Sequence, residues 1–249
     1  MASVSRKVKD LIPQPMRDFL RMQHRAVVRY LTRQEADLGS MHRCTPIARE
    51  FGRHRGEPID RYYIEKFLSR YRDDIAGRVL EVADATYTRR FGRGRVTTSD
   101  VLHVSETKKP VTITADLTDA PSIPSETFDC IILTQTLQFI YDIRAAVGTL
   151  HRILKPNGVL LLTVPGIAPI SPYDQERWGE YWRFTSGSTT RLLTEAFHPQ
   201  NITLEAFGNI LVAVSFLHGL AREDLTTDEL DFKDPLFEFL ITARAVKAR

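Results

Sequence analysis

Carboxylates recur at the ends of successive apolar segments in the middle of this chain. Leu80-Glu81-Val82 runs into Ala83-Asp84-Ala85, Thr98-Ser99 into Asp100-Val101, and Ala115 into Asp116-Leu117, while a fourth segment closes on Thr134-Gln135 with Gln138 just beyond. In an open α/β sheet, ligands bind outside the carboxyl ends of the strands, where the connection order reverses. Acids at neighbouring strand ends therefore form a polar rim along one edge. Asp100 and Asp116 each have a structural alternative, because aspartate is common wherever a strand gives way to a turn. Glu81 is harder to explain that way, since an unpaired carboxylate inside a strand end is costly to bury. The Ala83-Asp84-Ala85 turn argues against a dinucleotide pyrophosphate, which favours glycines and bare backbone N–H groups at a helix start.

Positioning such a rim requires alternating strands and helices, and from Arg78 onward the chain has that alternation. Apolar runs predict strands at 78–82, 95–99, 111–115, 128–133, 158–164, 202–206 and 238–245, the last of them antiparallel at the sheet edge. Helices are expected at 142–154, 186–197 and 210–220, the first ended by the cation, breaker and left-handed former of Lys155-Pro156-Asn157-Gly158. Ahead of the sheet, Asp60 is a candidate N-cap for a helix over 61–71. Residues 41–58 are polar and glycine-containing and suggest a linker or a mobile loop. Residues 5–37 are arginine-rich, with Leu11, Met16, Phe19, Leu20, Val27, Val28 and Leu31 at helical spacing. Such a helix can pack on its own domain, dock a partner or lie on an anionic membrane. The expected division is a basic helical extension and linker over 1–57 and one domain over 58–249.

The stretch from Arg78 to Pro165 resembles a class I S-adenosylmethionine (SAM) dependent methyltransferase. Phe128-Asp129-Cys130-Ile131-Ile132 and, more specifically, Leu150-His151-Arg152-Ile153-Leu154-Lys155-Pro156-Asn157-Gly158 carry the likeness. The resemblance implies an α/β fold: a Rossmann-like, mostly parallel seven-stranded sheet with helices on both faces, plus the N-terminal helical extension. It implies SAM as cofactor, held by Glu81 and the Ala83, Asp84, Ala85 turn, by Asp100 and Val101 at the ribose, by Asp116 and Leu117 at the adenine, and by Thr134 and Gln135. Carboxylates beside a sulfonium and an ammonium are favourable, so Asp84 suits SAM. The departure is the turn itself, where the superfamily has Gly-x-Gly. Glycine there permits positive φ and close backbone approach, and an alanine forced into that conformation costs about 1–2 kcal/mol.

Tyr181-Trp182-Arg183-Phe184-Thr185 resembles the substrate-side segment of members associated with glycosyltransferases, which implies O-methylation of a sugar or glycosylated small molecule. Trp182 and Arg183 could hold a sugar by stacking and forked hydrogen bonding, or could anchor a loop. Gln138 and Tyr62 are further acceptor-side candidates. His103 follows the second strand and is expected near the ribose. His218, on an apolar helix, is the candidate general base, its alternative being a structural histidine. The rival to an active enzyme is a domain whose altered turn has lost SAM and serves as a partner or a different catalyst.

The 249 residues, 43% hydrophobic and 26% charged with a net charge of only +3, do not point to nucleic acid, which demands a clustered basic surface. Cys44 and Cys130 show no disulfide framework, and no cysteine–histidine spacing suggests a metal. No apolar run approaches a bilayer span. A cytoplasmic protein with a small-molecule acceptor is the expectation.

Overall fold

A computed structural model describes residues 42–105 and 110–249, together with Pro13, Pro15, Met16, Phe19, Leu20, Met22, Gln23, His24, Val27 and Gly39. The chain divides into two compact units, Met1–Cys44 and Thr45–Arg249. In the first, Pro15, Met16, Phe19, Leu20, residues 22–24 and Val27 are helical, and Met16, Phe19, Leu20 and Val27 are exposed. Leu11, Val28 and Leu31 lie outside the described residues.

The second unit is built on a seven-stranded sheet: β1 (Gly77–Val82), β2 (Val96–His103), β3 (Ile113–Thr114), β4 (Phe128–Thr134), β5 (Leu154–Pro165), β6 (Ile202–Phe207) and β7 (Leu240–Val246). Their order across the sheet is β3-β2-β1-β4-β5-β7-β6. Five strands are parallel, whereas β7 runs antiparallel to both β5 and β6. The antiparallel expectation for β7 holds, but its position does not. It lies inside the sheet, between β5 and β6, and the edge belongs to β6.

Six helices of the second unit cover and border this sheet: α1 (Ile59–Arg70), α2 (Ile143–Ile153), α3 (Pro172–Trp178), α4 (Ser186–Thr194), α5 (Ile210–Leu217) and α6 (Thr227–Asp231). Successive strand residues divide between two cores, as the two-residue repeat requires. Leu80, Ile131, Leu133, Leu160 and Leu162 face α2 and α4, packing with Ala146, Leu150, Leu192 and Leu193. Val79, Cys130, Ile132 and Leu161 face α1 and α5, packing with Ile64, Leu68, Val212 and Phe216. Both faces are apolar because both are covered, which is why these strands read as unbroken hydrophobic runs.

Capping fixes the helix starts that border the carboxyl edge. The Asp142 carboxylate accepts from the Ala145 N–H at 3.0 Å and begins α2. Thr185 and Ser188 form a reciprocal capping box at α4. At the other end of α2, Asn157 takes the left-handed conformation expected of it, φ 64°. Asp60 differs from expectation: Pro58 occupies the cap position of α1 and Asp60 stands in its first turn.

Residues 45–57, read as linker, belong with the second unit. The Ile47 and Ala48 amides donate to the His218 carbonyl at 2.9 and 3.0 Å, and Arg55 forks onto Asp224 at 2.6 and 2.9 Å. Close approach depends on two glycines with positive φ, since a Cβ on Gly52 would meet the Leu220 carbonyl oxygen at 2.6 Å and one on Gly219 the Ala48 oxygen at 1.9 Å. Among the described residues no helix is long and apolar enough to cross a membrane.

Candidate active site

The chain proceeds from β1 outward through β2 and β3, then returns across β1 to β4 and β5. This reversal opens a crevice at the carboxyl ends, where such sheets bind ligands. A cleft of about 1060 Å³ occupies it, reached by the ends of β1 to β5, by α1 and by the flap between β5 and α4. That volume is at the upper end of the roughly 300–1,000 Å³ typical of small-molecule pockets. Two ligands side by side would fit.

Of the site residues singled out by sequence, Glu81, Ala83, Asp84, His103, Asp116, Leu117, Thr134, Gln135 and Gln138 line this cleft. Glu81 is buried and its carboxylate accepts from the Tyr87 N–H at 3.1 Å and the Thr88 N–H at 2.7 Å. It thus caps the helical turn after β1, and burial raises its pKa against the opposing pull of those N–H donors. Ala83 adopts φ 75°. The turn keeps its glycine-like geometry with a methyl group in it, and Asp84 closes it by accepting from the Thr86 N–H at 2.9 Å. Ala85 points elsewhere, buried and absent from the lining. Asp116 Oδ1 accepts from the Thr118 N–H and hydroxyl, both at 2.8 Å, in the manner of an Asx turn.

Asp100 and Val101 require correction. Strand β2 continues to His103, so both lie short of the edge, and Asp100 is enclosed. Its Oδ2 accepts from Arg78 Nε at 2.7 Å and its Oδ1 from the Thr112 hydroxyl at 2.9 Å, while the Val101 N–H donates to Thr112 Oγ1. The residues of β2 that reach the cleft are Leu102 and His103, followed by Val104. His103 faces Trp178 edge-on, ring centroids 5.9 Å apart. It stands where an acid was expected.

Four acceptor-side and catalytic candidates also fall outside the cleft lining. Tyr62 donates to Asp231 Oδ1 at 2.7 Å. Trp182 donates its indole N–H to the Ile140 carbonyl at 3.0 Å. Arg183 spreads over the carbonyls of Ala168, Pro169 and Trp182 and pairs with Glu180 at 2.6 Å. Both thus anchor the flap, the structural alternative for that segment. His218 ends α5, its carbonyl holding Ile47 and Ala48, and its ring is not part of the lining.

The flap supplies side chains that sequence reading passed over. Helix α3, capped by Ser171, brings Asp174, Arg177 and Trp178 to the cleft, with Glu180 following, and Tyr181 is the one residue of the Tyr181–Thr185 segment in the lining. Trp178 packs against Phe139 at 6.1 Å. Opposite stand Phe51, Arg53, Asp60, Arg61 and Phe216. Ser-Pro ahead of a helix was a visible signal for α3; which face it shows to the sheet was not.

Residues 74–162 match the family model described as a methyltransferase domain. The match covers a little over a third of the chain, the part that holds β1 to β5 and the crevice between them. The chain's fold is shared with a SAM-dependent methyltransferase from Archaeoglobus fulgidus, 12% identical, with 75% of this chain and 94% of that one covered and a TM-score of 0.50. A second one, from Mesorhizobium loti, is 16% identical over 76% of this chain and 97% of its own, with a TM-score of 0.49. No curated protein matches the sequence. SAM, the cofactor of methyltransferase domains, fits the cleft: Asp60 Oδ1, a buried atom of the lining residues without a hydrogen-bond partner, is an acceptor. SAM offers it ammonium, hydroxyl and amino donors.

Proposed function

We propose that this methyltransferase O-methylates a sugar or a glycosylated small molecule. The observation that carries the reading is Gln138. Gln138 lines the cleft and is 4% exposed, its amide donates to the Gln135 carbonyl at 3.0 Å, and its enclosed Oε1 has no partner. A buried acceptor left unpaired costs about 1–3 kcal/mol, an amount that a ligand hydroxyl would recover. The acceptor half of the cleft adds Trp178 and Tyr181, whose faces suit the apolar side of a sugar ring, and Asp174, whose carboxylate suits a hydroxyl donor.

On the cofactor side, Ala83 and Asp84 with Thr134 and Gln135 would border the amino-acid part, His103 the ribose, and Asp116 with Leu117 the adenine. When bound, SAM supplies an electrophilic methyl group on a positively charged sulfur. Gln138 would accept the hydroxyl proton's hydrogen bond and so turn an oxygen lone pair toward that methyl. That oxygen would take the methyl group as its bond to sulfur broke, SAM would leave as the neutral thioether, and the hydroxyl proton would pass to solvent. Gln138 orients and is no base; the rate gain then comes mainly from alignment in a cleft of limited water, an effect that can be large.

Calorimetry with SAM and S-adenosylhomocysteine should give micromolar affinities, and thioether release with a panel of glycosides should reveal turnover. Gln138→Ala should lower kcat/KM by about 10- to 100-fold while leaving cofactor affinity in place, as expected for loss of one buried hydrogen bond to a reacting group. Turnover with amines and none with hydroxyl acceptors would sink the O-methylation reading.

A further inference from the structure

Asp60 and Arg61 enter the cleft from the start of α1, beside the altered turn, and they share its lining with Ala83, Asp84 and Tyr87. Asp60 is not spent on the fold in the way that Glu81 is, and Arg61 has only Asp60 and the Tyr87 side chain as near partners of its guanidinium, with Glu57 further off. The Asp60 and Arg61 side chains are only 15% and 29% exposed, yet the contact between them, Arg61 Nη1 to Asp60 Oδ2, is 3.4 Å, beyond the range of a strong charged hydrogen bond. Asp60 Oδ1 is enclosed and has no partner.

A loosely joined carboxylate and guanidinium, side by side and largely buried, are complementary to a ligand that carries the opposite charges on one carbon. An α-amino acid end is such a group. Arginine's planar fork matches a carboxylate at two points, and the bare Asp60 oxygen suits an ammonium. The altered turn gives a reason for side chains to do this. With a methyl group on Ala83 at φ 75°, backbone approach is less free than beside glycine, so grip on the amino-acid end shifts from main-chain N–H groups to α1.

We propose that Asp60 and Arg61 clamp the amino-acid end of the cofactor, Arg61 taking the carboxylate and Asp60 the ammonium group. The inference rests on the methyltransferase assignment and is independent of which acceptor is methylated.

The test compares two nucleosides by calorimetry on the full chain. S-adenosylhomocysteine carries the amino-acid end; 5′-methylthioadenosine has the same adenosine and thioether without it. Arg61→Gln should weaken S-adenosylhomocysteine by about 10- to 100-fold, the loss of a charge-assisted hydrogen-bond pair, and leave methylthioadenosine within twofold. Asp60→Asn should act in the same direction, less strongly. Equal weakening of both nucleosides in both variants, or no weakening of either, overturns the clamp. So does a rise in acceptor KM with S-adenosylhomocysteine affinity intact, which would give the pair to the acceptor. If wild-type protein binds neither nucleoside, the cofactor assignment itself falls and the clamp with it.

Discussion

Asp100 illustrates how far one residue's meaning depends on where its strand stops. Thr97-Thr98-Ser99-Asp100 has the composition of a strand giving way to a turn, but Val101 and Leu102 continue the ladder beside Glu81 and Val82. At about 3.3 Å per residue, three residues put Asp100 roughly 10 Å short of the edge. The carboxylate is tolerated there because Arg78 and Thr112 satisfy both of its oxygens. Asp100→Ala should therefore lower unfolding stability by about 1–3 kcal/mol, the usual cost of breaking an enclosed charge-assisted pair, and leave S-adenosylhomocysteine affinity unchanged. Denaturant melts and calorimetry on one preparation would check both halves. Asp116, Asp84 and Gln138 line the cleft because they follow strands that end where the apolar runs end. Sequence failed for Trp182, Arg183 and His218 because nothing in their spacing tells a side chain facing a cavity from one tying down a loop a few ångströms away.

At the scale of elements, the 45–57 segment is the part that local composition misdescribes. It is polar and has glycines, as linkers do, but Gly52 serves close contact with Gly219 and Leu220, and Gly56 with Ala221 and Glu223, over 160 residues away. The segment delivers Phe51 and Arg53 to the cleft, with Phe51 stacked on Phe216 at 5.4 Å. Part of its attachment is the Arg55–Asp224 fork, and that arginine holds the Asp224 pKa down at about 2. A carboxylate depressed in the folded state contributes stability above its unfolded pKa of about 3.9, and that contribution fades as pH falls through the folded value. Protection of the Ile47 and Ala48 amides against hydrogen exchange should thus decline between about pH 4 and pH 2 ahead of the sheet amides. In Asp224→Asn, protection should already be reduced at neutral pH. The pair is partly exposed, so salt should weaken it as well.

For the whole molecule, the alternation of apolar runs was enough to give fold class, seven strands and two covered faces. It did not give the order of strands on the far side of β5. An antiparallel strand at the edge and one inserted inside have the same periodicity; what separates them is a pairing with β5, which lies some 80 residues earlier. Because β7 bridges β5 and β6 and buries Leu240, Ile241, Ala243 and Ala245, removal of the chain from Leu240 onward should abolish cooperative thermal unfolding rather than merely shorten an edge. A sharp melt from the truncated chain would contradict that.

The inserted position of β7 also bears on how the protein is made. As the polypeptide leaves the ribosome, β1 to β5 can pair in sequence, but β6 emerges with no neighbour and must wait for the strand translated after it. Phe239 and Leu240 at the head of β7 belong to the cleft wall. A nascent chain halted before them therefore lacks part of its own catalytic chamber, and sheet completion and site completion fall at the same moment of synthesis.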